Sequence, residues 1–66
     1  MRAELTPRER EVAALLINGQ TSKEIGKALA ISHRRVEIHR ARLMRKYQVH
    51  STPDLVHRLL DGQLEG

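Results

Sequence analysis

Four polar clusters, each followed by apolar residues at helical spacing, divide this chain into four short helices. Thr6-Pro7-Arg8-Glu9 has the form of a capping box with proline at the first helical position. In such a box the hydroxyl accepts from the third helical N–H while the glutamate reaches back to accept from the cap residue's own N–H. The helix it opens, over residues 7–18, carries Val12, Leu15 and Leu16 on one face and is expected to stop at Asn18-Gly19, where glycine takes a left-handed turn. A second box, Thr21-Ser22-Lys23-Glu24, opens a helix over 22–29 with Ile25, Ala28 and Leu29 apolar. Gly26 lies inside it; a mid-helix glycine costs roughly 1 kcal/mol relative to alanine, so the close approach of a crossing helix is expected there. Ala30-Ile31-Ser32 makes a tight corner, with Ser32 as the N-cap of a third helix over 33–47. Ser51-Thr52-Pro53-Asp54 begins a fourth, over 52–61, with Leu55, Val56, Leu59 and Leu60 apolar and Asp61-Gly62 at its end. No alternating run of useful length points to a strand. The expectation is one all-α domain over 1–66.

The 66 residues contain no cysteine, which excludes disulfide staples and thiolate metal sites and fits a reducing, cytosolic compartment. Tyr47 is the sole aromatic, so the core must be aliphatic. A core of that size supplies only a few net kcal/mol, so tight helix packing or a partner subunit is expected. No apolar run approaches the ~18 to 20 residues of a membrane span. Met1-Arg2-Ala3-Glu4-Leu5 lacks the apolar stretch of a secretory signal.

Charge is distributed unevenly. Residues 32–46 hold six Lys/Arg and one Glu, a local +5 in a chain whose total is +4. A solvated helix face normally mixes signs, whereas a single-sign stripe on a short chain points to a polyanion. At about 100° per residue, Val36, Leu43 and Tyr47 fall within about 20° of one another and face the core. The opposite side holds Arg34, Ile38, Ala41, Arg42 and Arg45, flanked by Glu37 and Arg35. Arg40 lies about 40° from the core centre and is expected to lay its stem along the core edge with its head in water.

A short helix, a three-residue corner and a longer basic helix are the layout of a helix-turn-helix, whose second helix enters the major groove of DNA. On that reading Ile38, about 200° from the core stripe, suits a thymine methyl, although single exposed aliphatic residues are also ordinary. Arginines near it can reach guanine O6 and N7. Ala41 is small enough to let the helix approach base edges. Glu37 would repel phosphate, so it either reads cytosine N4 or pairs with Arg34 or Arg40 inside the helix. Arg34 and Arg35 at the helix start add their charge to the positive dipole end, toward phosphate, and Arg45 is expected to contact the backbone alike. His39, on the other flank, either donates to a phosphate or satisfies a neighbouring carbonyl.

These residues resemble the LuxR/GerE-type helix-turn-helix, the effector domain of NarL/FixJ response regulators. The resemblance runs from about Leu5 to Leu60 and is carried by Leu5-Thr6-Pro7-Arg8-Glu9-Arg10-Glu11-Val12, Lys23-Glu24-Ile25, Val36-Glu37-Ile38-His39-Arg40-Ala41 and Met44-Arg45-Lys46. The tract from Val36 to Met44 is most similar to the FixJ branch. The resemblance implies a four-helix domain that binds operator DNA, as a dimer through the fourth helix, in the bacterial cytoplasm and on the nucleoid when bound. It places backbone contacts at Thr21, Ser22, Lys23, Arg34, Arg35 and His39. Base-facing positions fall at Glu37, Ile38, Ala41 and Arg42. The sequence departs from the family pattern at Arg35, where threonine is usual, at Gly26 (alanine) and at Gln48 (glycine).

On the fourth helix Leu55, Val56, Leu59 and Leu60 cover about 140°, wider than one core contact requires. Leu55 and Leu59 are expected in the core, with Val56 and Leu60 facing a second subunit. Two other readings compete. A sigma-factor region 4 module, working on RNA polymerase, shares the helix-turn-helix and the opening Pro7-Arg8-Glu9-Arg10-Glu11-Val12, but the well-capped fourth helix argues against it. A protein-interaction adaptor would dock its basic helix on an acidic partner. Salt-dependent binding to random duplex separates the adaptor, since four to six phosphate contacts predict a slope of log K on log salt of roughly −4 to −5. Catalysis, a metal and a small-molecule cofactor are not expected: His33 and His39 lie on different sides of the helix, and no triad, paired-carboxylate or phosphate-loop pattern stands out. With no receiver or ligand-binding segment in these residues, the input is expected from another chain or from a longer protein containing this domain.

Overall fold

A computed structural model describes the backbone of residues 4–65 and the side chains through residue 62. Met1 to Ala3, and with them most of the stretch read for a secretory signal, lie outside the described residues, as does Gly66 at the end of the expected domain. Among the described residues there are four helices, α1 (Pro7–Ile17), α2 (Ser22–Leu29), α3 (His33–Tyr47) and α4 (Thr52–Glu65), and no strand. None is long and apolar enough to cross a membrane.

Each helix starts on a cap that the sequence spells out. The Thr6 hydroxyl accepts from Glu9 N–H at 3.2 Å while Thr6 N–H donates to the Glu9 carboxylate at 2.9 Å. Thr21 and Glu24 repeat the reciprocal pair at 3.2 and 2.8 Å. Ser32 accepts from Arg35 N–H at 3.1 Å, and Ser51 from Asp54 N–H at 3.2 Å. Helix ends are less regular. All three interhelical turns close with a bond from the residue after the left-handed position: Gln20 N–H to Leu15 O, Ile31 N–H to Gly26 O and Val49 N–H to Met44 O, at 3.0–3.1 Å. Only the first uses glycine, Gly19 at φ 83°; Ala30 and Gln48 hold φ 57° and 56°.

A Cβ in that region costs about 1–2 kcal/mol, against about 0.4–1 kcal/mol of chain freedom that glycine adds to the unfolded state. Ala30→Gly and Gln48→Gly are therefore each expected to stabilise the domain by about 0.5–1 kcal/mol. Urea unfolding of the two single variants and their combination checks this, with additive gains expected at such separated sites.

Two expectations are corrected. α4 does not end at Asp61-Gly62 but runs to Glu65. Gly62 keeps a helical turn in place of a left-handed one, and the following Gln63, Leu64 and Glu65 are good helix formers with no proline to stop them. The close approach at Gly26 comes from the corner, not from a crossing helix. A Cβ there would lie 2.8 Å from Ile31 O and 3.6 Å from His33 N, so the corner folds back over the space a side chain would fill.

The core is aliphatic. Val12, Ala13 and Leu16 of α1, Ile25 of α2, Val36 and Leu43 of α3, and Leu55 and Leu59 of α4 are buried together. α3 packs against all three other helices, with Tyr47 half-buried at the edge. Leu15 and Leu29 are half-buried and Ala28 is exposed, so Ala13 takes an interior place that Leu15 does not fully hold. With its long stripe committed inward to three partners, α3 has only one side left for solvent.

Candidate nucleic-acid interface

The exposed side of α3 is set by the buried one. Val36 and Leu43 are fully enclosed. The helical period then turns Arg34, Ile38, Ala41, Arg42 and Arg45 outward, and all five are exposed, as is Arg35 at the flank. Ile38 is 45 % exposed, the larger exposure of the two large apolar side chains on the surface among the described residues. Arg34, Arg35, Arg42 and Arg45 make no ion pair among the described residues. Four guanidinium groups on one surface thus keep their charge available around a single methyl-rich side chain.

The other two cations of the basic tract are spent internally. Lys46 Nζ lies 2.6 Å from Glu9 Oε1 and 3.0 Å from Glu4 O. Glu9 is 1 % exposed. Burial alone pushes its carboxyl up, but the hydrogen bond from Lys46, those from Thr6 and the nearby ammonium charge together hold it below its ordinary value. Arg40 corrects the expectation of a head in water. Its guanidinium donates to Glu37 Oε1 at 2.5 Å and to the Thr52 hydroxyl oxygen on α4, while its Nε is enclosed without a partner.

Of the roles open to Glu37, the structure has it paired within the helix, with Arg40. The Ser22 hydroxyl on α2 donates to its other oxygen, and His33 Nε2 lies 3.9 Å away. These hydrogen bonds, from Arg40 first and then Ser22, hold Glu37 below the ordinary carboxylate range despite partial burial. It is therefore an anion at neutral pH. Ser22, expected at the DNA backbone, directs its hydroxyl hydrogen to Glu37. Thr21 is the α2 cap, its hydroxyl accepting from Glu24 N–H, and Lys23 is exposed beside it. His39 is half-buried, with Nδ1 enclosed and unpartnered among the described residues.

The two residues expected at a subunit contact lie together on α4. Leu55 and Leu59 are buried, whereas Leu60 is 39 % exposed and Val56 is half-buried. Val56 and Leu60 line a shallow apolar depression with Leu16 and Ile17 of α1 and Pro53.

The outward arginines and the Glu37–Arg40 pair are legible in the sequence, but the contacts of Arg40 and Lys46 with other helices are not. Arg40 reaches 12 positions along the chain to Thr52 and Lys46 reaches 37 positions back to Glu9. No local spacing signals either.

Residues 3–59 match the family described as bacterial regulatory proteins, luxR family. Over 55 residues (83 % of this chain and 27 % of the relative) the sequence is 47 % identical to the tetrathionate response regulatory protein TtrR of Salmonella typhimurium. It is 45 % identical over 58 residues to the transcriptional regulatory protein UhpA of Salmonella typhimurium, covering 88 % of this chain and 30 % of that one. With the transcriptional regulatory protein FixJ of Rhizobium meliloti it shares 43 % identity over 58 residues, 88 % of this chain and 28 % of the relative. The chain thus spans less than a third of each of these three relatives. A match covering nearly every described residue, on four helices in the expected order, places this chain in the luxR family of bacterial regulatory proteins.

Proposed function

We propose that this domain binds double-stranded DNA sequence-specifically for transcriptional regulation, with α3 in the major groove and two copies joined through α4. One observation carries the reading: four arginines, unpaired among the described residues, surround the exposed Ile38 on the single solvent face of α3. The names of the relatives, response and transcriptional regulators, support it. An adaptor reading is less favoured, because acidic protein partners do not call for an aliphatic side chain amid the charge. The fully formed, serine-capped α4 disfavours a sigma-factor region 4 module.

On this proposal Arg34, Arg35 and Arg45 hold phosphates, and Ile38, Ala41 and Arg42 face the bases. Thr21 and Lys23 contribute from the start of α2, Ser22 through its backbone N–H, one of the orphan donors of any helix start. His39 contacts the backbone from the flank, and Glu37 lies at the edge of the base-facing set. The domain works in the bacterial cytoplasm, on the nucleoid when bound, as the effector part of a response regulator with RNA polymerase as a further partner.

The division of the face is tested by two substitutions against a selected duplex and its single-base variants. Arg45→Ala is expected to weaken all sequences alike. Ile38→Ala is expected to relax preference at one base pair by about 1 kcal/mol or more. Identical behaviour of the two would refute the division.

Dimerisation is tested by Val56→Asp. Analytical ultracentrifugation is expected to show lost association with helicity unchanged, since a half-buried charge at a subunit contact has no partner. A fall in helicity at unaltered association would assign Val56 to the core instead.

A further inference from the structure

Ser22, Glu37, Arg40 and Thr52 form an unbroken polar chain across three helices: a hydroxyl of α2, a carboxylate and a guanidinium of α3, and a hydroxyl of α4. The two charges are only partly exposed, 38 % for the Glu37 side chain and 28 % for Arg40. The Arg40 head is enclosed enough to leave its Nε without a water-facing route or an acceptor. The chain runs along the inward flank of α3, with the free arginines on the other side. Core packing fixes how far α3 stands from its neighbours, but aliphatic side chains slide and rotate on one another more readily than a directional ion pair does. A guanidinium held by Glu37 through one terminal nitrogen and by Thr52 through the other resists such rotation.

We infer that this chain sets the rotation of α3 about its own axis relative to α2 and α4, making Glu37 and Arg40 positioning residues for DNA binding and Thr52 a remote determinant of affinity. The inference rests on the DNA reading above and deepens it. Glu37 then acts through Arg40 and Ser22 and is not a reader of cytosine. Because Thr52 belongs to the helix proposed to join two copies, the same chain ties that helix to the DNA-facing one.

The substitutions at Ser22 and Thr52 are neutral, so they remove no charge from the DNA surface. In the free domain, Ser22→Ala, Thr52→Ala and the double variant are unfolded in urea. The chain predicts non-additivity of at least about twofold in the unfolding equilibrium constant. Binding to a selected duplex is then measured at one association state, fixed by sedimentation. Thr52→Ala is expected to lose about two- to thirtyfold in affinity with the salt slope unchanged, while Thr52→Ser, which keeps the acceptor oxygen, binds like the unsubstituted domain. Glu37→Gln is expected to leave the order of base preferences intact. Additive unfolding effects, full affinity in Thr52→Ala, or loss of preference at one base pair alone in Glu37→Gln would each overturn the inference. Coupled unfolding in a domain that binds no duplex at low salt would sink the DNA reading, and the positioning role with it, while leaving the chain as a structural tie.

Discussion

Lys46→Met is expected to cost this domain about 2–4 kcal/mol, enough to unfold a large share of it at room temperature. Breaking a buried pair from one side is worse than replacing both partners, because the remaining charge keeps its desolvation penalty. Here that charge is Glu9, 1 % exposed, which would retain only its bonds to Thr6. The expected cost lies toward the lower end for buried pairs because the Lys46 side chain is itself 35 % exposed. The pH dependence carries a sign that identifies the cause. In the unsubstituted domain the Glu9 carboxyl is held below its ordinary 4.5, so its pairing stabilises above that pH and is lost as pH falls through the lower folded value. With Lys46 replaced, its hydrogen bond and its charge are lost while burial remains, so the carboxyl moves up from its paired value and protonation costs the folded state less. The difference in stability between the two proteins is therefore expected to shrink from pH 7 toward pH 5, by urea unfolding at each pH. A difference that grows on acidification would contradict the assignment.

That pair also shows where the sequence is readable and where it is not. Helix starts are legible because a cap is a local device: Thr6 with Glu9, Thr21 with Glu24, Ser32 and Ser51 announce themselves within four residues. The outward face of α3 is legible because the helical period fixes angles once Val36 and Leu43 are assigned to the core. By contrast Arg40 and Lys46 are indistinguishable from Arg42 and Arg45 in any count of charge. Glu37 is a partner the local spacing offers Arg40, but Thr52 and Glu9 are set by how α4 and α1 cross α3, which the local pattern does not encode. Gly26 announces a close approach without saying what approaches. Gly62 resembles a stop signal, but a glycine ends a helix only when the chain turns left-handed there, and nothing after it forces that turn. The resemblance supplied the positions on α2 that periodicity alone would not single out.

Replacing Arg34, Arg35, Arg42 and Arg45 together by alanine is expected to lower affinity for duplex DNA by at least about 10³-fold at low salt, with the fold retained. All four are exposed and unpaired among the described residues, so their removal leaves no buried group stranded. Alanine is the better helix former at each position. The salt dependence should change with the affinity. Each phosphate neutralised contributes about −0.9 to the slope of log K on log salt, so losing three or four contacts should flatten it by about 3. Arg10→Ala, an exposed cation on α1, is the control and is expected to change neither quantity. Circular dichroism of the fourfold variant separates lost binding from lost structure. A slope that stayed steep would move the DNA surface elsewhere on the domain.

On the proposed function, the arginines of α3 divide into four that face DNA and one, Arg40, that faces the protein. Side-chain Nε–H resonances of the arginines, followed by NMR during titration with a duplex selected from a randomised pool, read that division directly. The resonances of Arg34, Arg35, Arg42 and Arg45 are expected to shift together as DNA is added, while that of Arg40 stays where Glu37 and Thr52 hold it. Shifts concentrated on Arg8, Arg10 and Arg58, with the α3 set unmoved, would contradict the account.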